Sequence, residues 1–220
     1  MHIAIIMDGN RRYAKKHKLE TMKGHIAGVK KAEEVLEWCQ EFGIKELTLY
    51  SFSIENFERS KTEVDYLMNL FDGQINNLLN DKRVFDNKIK IRFIGRKNLF
   101  PAELLKGMKL IEEKTSGFDK FRLNFAIGYG GRQEIVDAVN KLISEGKEID
   151  EEAITKELYL PDFPDLLIRT GGEKRISNFL LWQSAYTELY FSDRLWPEFS
   201  KEDFIAALED FKARERRFGK

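Results

Sequence analysis

Short apolar runs alternate with longer amphipathic stretches along all 220 residues of the chain. The short runs, rich in branched and aromatic residues, predict strands at residues 3–7, 44–52, 89–94, 121–127 and 166–169. The longer stretches, with apolar residues three and four positions apart, predict helices at residues 24–43, 60–79, 101–114, 132–145, 151–159 and 201–214. Strands that alternate with helices are typical of an α/β fold, so we expect a mostly parallel central sheet flanked by helices.

The chain shows no internal repeat, no low-complexity tract and no linker rich in Pro or Gly. The polar stretch 146–150 is short enough to be a loop. With 42% hydrophobic and 34% charged residues, the composition is that of an ordinary globular domain. We therefore expect one domain over residues 1–220.

Charge and cysteine content exclude several classes of protein. Lys and Arg total 37, and so do Asp and Glu, so no global field favours nucleic acid or an anionic membrane. The single cysteine, Cys39, excludes an intrachain disulfide and lies on a predicted helix face, where we expect a core thiol. No apolar run approaches the length of a membrane span, and one residue precedes the first strand, which leaves no room for a signal peptide. We expect a cytoplasmic protein.

The first candidate site follows the first predicted strand directly. Its residues are Asp8, Gly9, Asn10, Arg11 and Arg12. In an open α/β sheet, ligands bind at the carboxyl ends of strands, and the N–H groups at the start of a following helix favour anions. A fixed carboxylate beside paired guanidiniums suits a metal-bound phosphate ester, although a solvated charged turn would explain this stretch taken alone.

The second candidate site comprises residues 51–59, after the second predicted strand. Its sequence, SFSIENFER, offers hydroxyl, amide and guanidinium groups. Neighbouring strands of a parallel sheet end at the same edge, so we expect these groups near Asp8. Loop and cap chemistry explains the same residues equally well.

The third candidate site is more specific. A buried strand ends at Arg169, a Gly-Gly turn follows, and Arg175 and Ser177 add a second cation and a hydroxyl. The planar fork of arginine matches phosphate oxygens, so this combination suits a diphosphate. The basic C-terminal stretch 214–220 contains Phe218 and Gly219, which indicate a docked segment rather than a solvated tail.

With these motifs the chain resembles the cis-prenyltransferases, the family of undecaprenyl and dehydrodolichyl diphosphate synthases. The resemblance extends from His2 to Gly219. It rests on HIAIIMDGNRRYAKK, GHIAG, LTLYSFSIENFERSKTEV, LNFAIGYGGRQEIVDAV, DLLIRTGGEKRISNFLLWQ, LWPEF and RERRFG. The double arginine followed by Tyr13 is more similar to the archaeal and eukaryotic branch than to the usual bacterial pattern.

The resemblance implies a Mg²⁺-dependent transfer between two diphosphate substrates, an allylic prenyl diphosphate and isopentenyl diphosphate. Asp8 would be the essential catalytic residue and, with help from Glu188, would hold the metal. The residues implied around the allylic diphosphate are Gly9, Asn10, Arg11, Arg12, Tyr13 and His25. Those implied in the reaction zone are Ser53, Glu55 and Asn56, with Asn56 in the network that removes a proton. Phe57 and Arg59 are implied to bind substrate. Those implied for isopentenyl diphosphate are Arg169, Arg175 and Ser177.

The resemblance also implies a homodimer and a hydrophobic tunnel. Arg217 and Gly219 match an Arg-x-Gly tail that in the family completes the partner subunit's site. The helix predicted at residues 60–79 carries an apolar stripe, which by itself is typical of a helix that packs against the core. The resemblance implies that the same stripe also lines the tunnel. The stripe consists of Val64, Leu67, Met68, Phe71, Ile75 and Leu78. The growing product would need at most peripheral membrane contact for release.

One position departs from the family pattern. Family members commonly carry an arginine between the positions of Arg12 and His25, and this chain has Thr21 there, with Lys23 nearby. Losing a charged hydrogen-bond partner costs about 1.5–3 kcal/mol, so affinity for the allylic diphosphate falls unless Lys18 or Lys23 compensates. A different phosphorylated acceptor in place of isopentenyl diphosphate therefore stays open as an alternative.

Four other functions have less support in the sequence. An aspartyl-phosphate phosphatase needs a second acid two residues after the first, and Asn10 occupies that place. The glycines at 128–131 are typical of a dinucleotide loop, but Glu134 lies near where the later glycine would fall. A non-catalytic accessory subunit of a heteromeric prenyltransferase would be expected to lack Asp8. The chain also lacks the Asp-Asp-x-x-Asp motif of trans-type synthases.

Overall fold

The computed structural model describes residues 1–214. Its strands are β1 (His2–Ile6), β2 (Glu46–Ser53), β3 (Ile89–Ile94), β4 (Phe121–Tyr129), β5 (Leu166–Arg169) and β6 (Glu188–Phe191). Its helices are α1 (Asn10–Lys16), α2 (Thr21–Glu41), α3 (Lys61–Asn80), α4 (Lys82–Asp86), α5 (Ala102–Thr115), α6 (Gly131–Ser144), α7 (Glu151–Glu157) and α8 (Lys201–Ala213). The strands form one sheet in the order β3-β4-β2-β1-β5-β6, which confirms the predicted fold class.

The predicted elements are present, and three further elements are not signalled by the hydrophobic pattern. These are α1, α4 and β6, which have seven, five and four residues. Elements this short carry too few periodic positions for an apolar face to stand out. α1 is also almost entirely polar, with Ala14 as its buried residue.

The described chain divides into two compact units, with one boundary inside β2 after Leu49. The first unit comprises residues 1–49, 164–177 and 184–214 of the described chain. In it, β1 pairs in parallel with β5, and β5 pairs in parallel with β6. All five residues of β1 and all four of β5 are buried, which is expected of parallel strands covered on both faces.

The second unit comprises residues 50–163 and 178–183. Here β3 pairs in parallel with β4, from Ile89 opposite Phe121 to Ile94 opposite Ala126. An aromatic cluster joins the end of β2 to α3 and to the segment before α5. It consists of Phe52, Phe57, Phe71 and Phe100. The prediction of a single domain over residues 1–220 stays a prediction.

Local chemistry accounts for several boundaries. The Ser60 hydroxyl caps α3 by accepting from the N–H of Glu63 at 3.4 Å. The Glu63 carboxylate forms an ion pair with Arg59 at 3.0 Å.

Cys39 is fully buried, as predicted, and burial raises the pKa of its thiol. None of the helices in residues 1–214 is both long enough and apolar enough to span a bilayer.

Candidate active site

Asp8 lies at the carboxyl end of β1, where the parallel pairing brings it beside the end of β5. Ile6 is the register partner of Arg169, the last residue of β5. The two strands therefore end together, and residues that follow one strand can reach residues at the end of the other. Asp8 Oδ2 accepts a hydrogen bond from Arg169 Nη2 at 2.8 Å. The structure thus brings Asp8 of the first candidate site into contact with Arg169 of the third.

Arg169 is a buried cation whose donors meet several acceptors. Its side chain is 5% exposed, and its Nη1 donates to the Ser177 hydroxyl and to the Arg175 carbonyl oxygen, both at 2.6 Å. Its Nε is buried without a hydrogen-bond partner among the described residues. Burying a guanidinium is costly unless it is paired, and here Asp8 supplies the negative charge. Arg169 thus connects Asp8 to the loop that ends at Ser177.

Arg12 forms an ion pair with the other carboxylate oxygen of Asp8. Arg12 lies in the first turn of α1, four residues after Asp8, and its Nη2 is 3.0 Å from Asp8 Oδ1. Its Nη1 donates to the Gly171 carbonyl oxygen at 2.6 Å. Gly171 has φ +87°, and a Cβ there would lie 2.4 Å from Arg12 Nη2. Each carboxylate oxygen of Asp8 therefore faces one arginine, and glycine at 171 gives Arg12 the space it needs.

The residues after Asp8 pack closely against α2. Gly9 precedes α1 with φ +121°, and Asn10 begins the helix. A Cβ at Gly24 would lie 2.2 Å from the Asn10 carbonyl oxygen, and one at Gly28 would lie 2.4 Å from Asn10 Oδ1. Asn10 Oδ1 is buried and has no hydrogen-bond partner among the described residues. The two glycines of α2 thus let the loop that carries Asp8 lie directly on the helix.

The other residues predicted for this half of the site belong to the same unit. Tyr13 is on α1 and packs against the His17 ring at 4.4 Å between centroids. His25 is on α2 and is 8% exposed. Arg11 is exposed in the first turn of α1. The structure places all three on the two helices that follow β1.

Ser53 and Asn56 cap each other after β2. The Asn56 Oδ1 atom accepts from the N–H of Ser53 at 3.1 Å, and the Ser53 hydroxyl accepts from the N–H of Asn56. This capping box starts a 3-10 turn at Ile54–Glu58. The structure therefore shows the cap chemistry that the sequence allows at these positions. Their predicted roles in the reaction zone stay predictions.

Glu55 is held by Asn178, a residue that the sequence reasoning missed. Asn178 Nδ2 donates to Glu55 Oε1 at 3.1 Å and to Gln133 Oε1 at 3.2 Å, and its Oδ1 accepts from the N–H of Arg132 at 2.9 Å. Partial burial would raise the pKa of Glu55, but hydrogen bonds from its own N–H, from Ser53 and from Asn178 outweigh burial and lower it. Asn178 has φ +62°, which asparagine tolerates better than most residues.

Phe57 and Arg59 have partners within the second unit. The Phe57 ring lies edge-on to Phe52 at 4.8 Å and 5.4 Å from the Phe100 ring, measured between centroids. Arg59 Nη1 donates to Glu63 Oε1 at 3.0 Å. Both residues have a structural role here, and their predicted contacts with substrate stay predictions. The same holds for the predicted approach of residues 51–59 to Asp8.

The remaining predicted residues lie near the third motif and the C-terminus. Arg175 contributes its carbonyl oxygen to Arg169, and its guanidinium pairs with Glu173. Glu188 is the first residue of β6 and pairs with Arg214 at 2.8 Å. Arg217 and Gly219 lie outside the described residues.

Glu134, which stands where a dinucleotide loop would have glycine, is completely buried. Its carboxylate accepts hydrogen bonds from the Tyr129 hydroxyl, the Gln183 amide and the N–H of Leu160. Burial raises its pKa despite these donors. Glu134 therefore anchors the start of α6 to two neighbouring segments of the chain.

Comparisons with known proteins show which proteins this chain is similar to. The chain is 50% identical to a tritrans,polycis-undecaprenyl-diphosphate synthase (geranylgeranyl-diphosphate specific) of Thermoplasma acidophilum, over 100% of this chain and 88% of that protein. It is also 50% identical to an isoprenyl transferase of Thermus thermophilus, with the same coverage. The crystal structure of lavandulyl diphosphate synthase from Lavandula x intermedia, in complex with dimethylallyl diphosphate, matches with a TM-score of 0.93. That match has 35% identity and covers 100% of this chain and 98% of that one.

The sequence and the fold thus define an enzyme that transfers prenyl groups. The chain belongs to the undecaprenyl diphosphate synthase family, whose model matches residues 6–219. The resemblance expected from the sequence motifs is confirmed.

Prenyl diphosphate synthases of this family generally need a divalent metal. Among residues 1–214, no group of three His, Cys, Asp or Glu side chains could hold such an ion. Asp8 offers two carboxylate oxygens on a side chain that is 29% exposed, beside two guanidiniums. Mg²⁺ is commonly bound through one or two carboxylates together with substrate phosphates. The donor set at Asp8 fits a metal that binds together with a diphosphate.

Proposed function

We propose that the chain condenses isopentenyl diphosphate with an allylic prenyl diphosphate to give a longer Z-polyprenyl diphosphate. The observation that carries this proposal is the cluster in which Asp8 lies between Arg12 and Arg169, with Ser177 bonded to Arg169. Two cations, a carboxylate and a hydroxyl at the ends of two parallel strands form a site suited to diphosphate groups.

The reaction needs negative charge to be stabilised on a leaving diphosphate. When the allylic carbon–oxygen bond breaks, the electron pair stays on the diphosphate. Guanidiniums aimed at that group bind it more strongly as its charge grows, which lowers the barrier. We assign Arg12 to the allylic diphosphate, with Gly9, Asn10, Arg11, Tyr13 and His25 around it. We assign Arg169, Arg175 and Ser177 to the diphosphate of the acceptor.

Mg²⁺ is the divalent metal that we propose, held by Asp8 together with substrate oxygens. When bound, it neutralises charge on the diphosphate and acts as a Lewis acid toward the leaving group. Glu188 is the second proposed ligand, and to reach a metal it must leave Arg214. To bind a metal, Asp8 must likewise release at least one arginine. Until substrate arrives, its ion pairs with Arg12 and Arg169 keep the carboxylate in place.

The acceptor loses a proton after its double bond attacks the allylic carbon. Ser53, Glu55 and Asn56, with Phe57 and Arg59, are the residues that we propose for this zone. Glu55 has a lowered pKa, so it is ionised at neutral pH and suits a role in orienting donors. We place Asn56 in the network that receives the proton.

The apolar product needs an apolar wall, and α3 supplies one. Leu67 and Ile75 of its stripe are buried, and Val64, Met68, Phe71 and Leu78 are half-buried. A Cβ at Gly107 of α5 would lie 2.9 Å from Ile75 Cγ2, so the two helices pack closely. We propose that the stripe lines a tunnel. The relative from Thermoplasma acidophilum is named as geranylgeranyl-diphosphate specific, which favours a geranylgeranyl primer over a farnesyl primer for this chain as well.

We further propose that the active form is a cytoplasmic homodimer in which Arg217 and Gly219 complete the partner's site. Deleting residues 217–220 should raise the KM for isopentenyl diphosphate and leave the circular dichroism spectrum unchanged. Unchanged kinetics would refute the shared site, and light scattering would give the mass of the assembly. Contact with a membrane would be peripheral and serve product release, and nucleic acid is not a partner.

Purified protein incubated with Mg²⁺, geranylgeranyl diphosphate and radiolabelled isopentenyl diphosphate tests the reaction. We expect labelled products longer than the primer, extractable into butanol. Parallel reactions with farnesyl diphosphate determine the preferred primer. Absence of elongated product with either primer would refute the proposal and favour a non-catalytic accessory subunit.

A second acceptor remains a candidate because Thr21 stands where the family commonly has arginine. The structure places Thr21 at the first position of α2. The same assay run with labelled dimethylallyl diphosphate as acceptor distinguishes the two functions. A product from that acceptor and none from isopentenyl diphosphate would favour the alternative.

A further inference from the structure

The main chain of Asp8 is held as firmly as its side chain. The Asp8 carbonyl oxygen accepts hydrogen bonds from the Thr170 hydroxyl at 2.8 Å and from the N–H of Trp196 at 3.0 Å. Both donating residues are 0% exposed. A carbonyl oxygen has two lone pairs, so these donors satisfy it completely. The peptide that carries the proposed catalytic carboxylate is thereby fixed from two sides.

Trp196 is itself anchored to α2. Its indole Nε1 donates to the Gly28 carbonyl oxygen at 2.8 Å, and its ring stacks on Phe199 at 6.1 Å between centroids. A Cβ at Gly9 would lie 2.9 Å from Leu195 Cα and 3.0 Å from Trp196 N. Leu195 and the main chain of Trp196 therefore lie against the turn that follows Asp8.

Thr170 connects the same carbonyl to the end of β5. Its N–H donates to the Ile6 carbonyl oxygen at 3.3 Å, which continues the β1–β5 pairing past Arg169. Its hydroxyl then bonds to Asp8. A valine has nearly the same shape but no donor, so the hydroxyl is the part of Thr170 that can direct Asp8.

We propose that Thr170 and Trp196 are positioning residues for Asp8. They hold its carbonyl so that its carboxylate stays between Arg12 and Arg169. This rests on the proposed function, because Asp8 is the residue through which they act. Misplacing a reacting group by about 1 Å can cost about a hundredfold in rate, so small changes at this carbonyl should affect turnover.

The decisive comparison uses Thr170→Val, Thr170→Ser and a matched control, Thr115→Val. Thr115, which belongs to the second unit, is also 0% exposed, and its hydroxyl donates to the Ile111 carbonyl oxygen at 2.8 Å. We expect kcat of Thr170→Val to fall by about 10- to 100-fold with a smaller change in the KM for allylic diphosphate. Thr170→Ser should recover most of that kcat, and Thr115→Val should keep the wild-type kcat although its melting temperature falls. Equal kcat values for the two valine variants would overturn the proposal.

Trp196→Phe gives a second test, with Trp182→Phe as its control. Each change removes one indole hydrogen bond, to Gly28 in the first case and to Thr155 at 3.0 Å in the second. We expect a loss of kcat for Trp196→Phe alone. If both variants keep the wild-type kcat, the indole of Trp196 does not take part in positioning Asp8.

A crystal structure of Thr170→Val separates this proposal from the proposed function. Asp8 should shift in Thr170→Val and keep its position in Thr170→Ser, whether or not the enzyme forms the expected product. An unshifted Asp8 in the valine variant would refute positioning even if wild-type protein makes polyprenyl diphosphate. A wild-type protein without product would refute the proposed function instead.

Discussion

Gly171→Ala is the substitution whose effect can be worked out most completely from the structure. Gly171 has φ +87°, and its added Cβ would lie 2.4 Å from Arg12 Nη2, 3.0 Å from the Asp8 carbonyl oxygen and 3.2 Å from the Asp8 carbonyl carbon. Ordinary contact needs about 3.5 Å, so the guanidinium must retreat by about 1 Å. That movement breaks the 2.6 Å bond to the Gly171 carbonyl and the 3.0 Å pair with Asp8.

Gly171→Ala should lower both the stability of the fold and the catalytic efficiency, for different reasons. A left-handed backbone costs a residue with a Cβ about 1–2 kcal/mol of stability. The Arg12–Asp8 pair adds about 1 kcal/mol or less, because the Arg12 side chain is 46% exposed. If Arg12 binds the leaving diphosphate, losing a charged hydrogen bond of about 1.5–3 kcal/mol lowers kcat/KM by about 10- to 150-fold.

Gly43→Ala is the matched control, because Gly43 has φ +69° and its added Cβ meets no atom of another segment of residues 1–214 within 4 Å. Urea unfolding should show a loss of stability in both variants. Steady-state assays with an allylic diphosphate should show the loss of kcat/KM in Gly171→Ala alone. Wild-type kcat/KM in Gly171→Ala would refute the assignment of Arg12 to the diphosphate.

Two further predictions concern affinity and pH. Thr21→Arg should lower the KM for the allylic diphosphate by about tenfold or more, because it restores a charged hydrogen-bond partner worth about 1.5–3 kcal/mol. The control Thr62→Arg, near the start of α3, should leave KM unchanged. An unchanged KM in Thr21→Arg would show that the pocket lacks no cation. The hydrogen bond with Arg96 is the main reason why the pKa of Asp137 lies below its ordinary value of 3.8. The ionised carboxylate therefore stabilises the folded protein above pH 3.8, and this contribution is lost as the pH falls through the pKa of Asp137 in the folded state. Asp137→Asn should therefore lower the free energy of unfolding, measured in urea, by about 1 kcal/mol at about pH 7 and by progressively less below pH 3.8. A loss of stability that does not change with pH would contradict the claim that the ionised Asp137 carboxylate stabilises the fold.

The sequence was most informative where a continuous apolar run defines a strand. β3 and β5 have the predicted bounds, and parallel pairing then places Asp8 beside Arg169. The sequence indicated Asp8 and Arg169 separately, each at or just after the end of a strand, and the structure shows that the two side chains are in contact.

The rest of the site depends on contacts between residues far apart in the chain. Glycine is required at Gly171 because Arg12, 159 residues earlier, occupies the space of a side chain. The bond from Asn178 to Glu55 crosses 123 residues, and no local pattern signals it. Helix α1 was missed because its residues are nearly all polar, so it shows no apolar face. Tertiary packing, rather than local preference, determines these features.

The most direct test of the central claim compares wild-type protein with Asp8→Ala in the prenyl transfer assay. Asp8 joins two guanidiniums and is the carboxylate proposed to hold Mg²⁺ with the diphosphate. We predict that wild-type protein elongates the primer and that Asp8→Ala loses nearly all turnover while its circular dichroism spectrum is unchanged. A folded Asp8→Ala variant that keeps a substantial part of the wild-type rate would contradict the account.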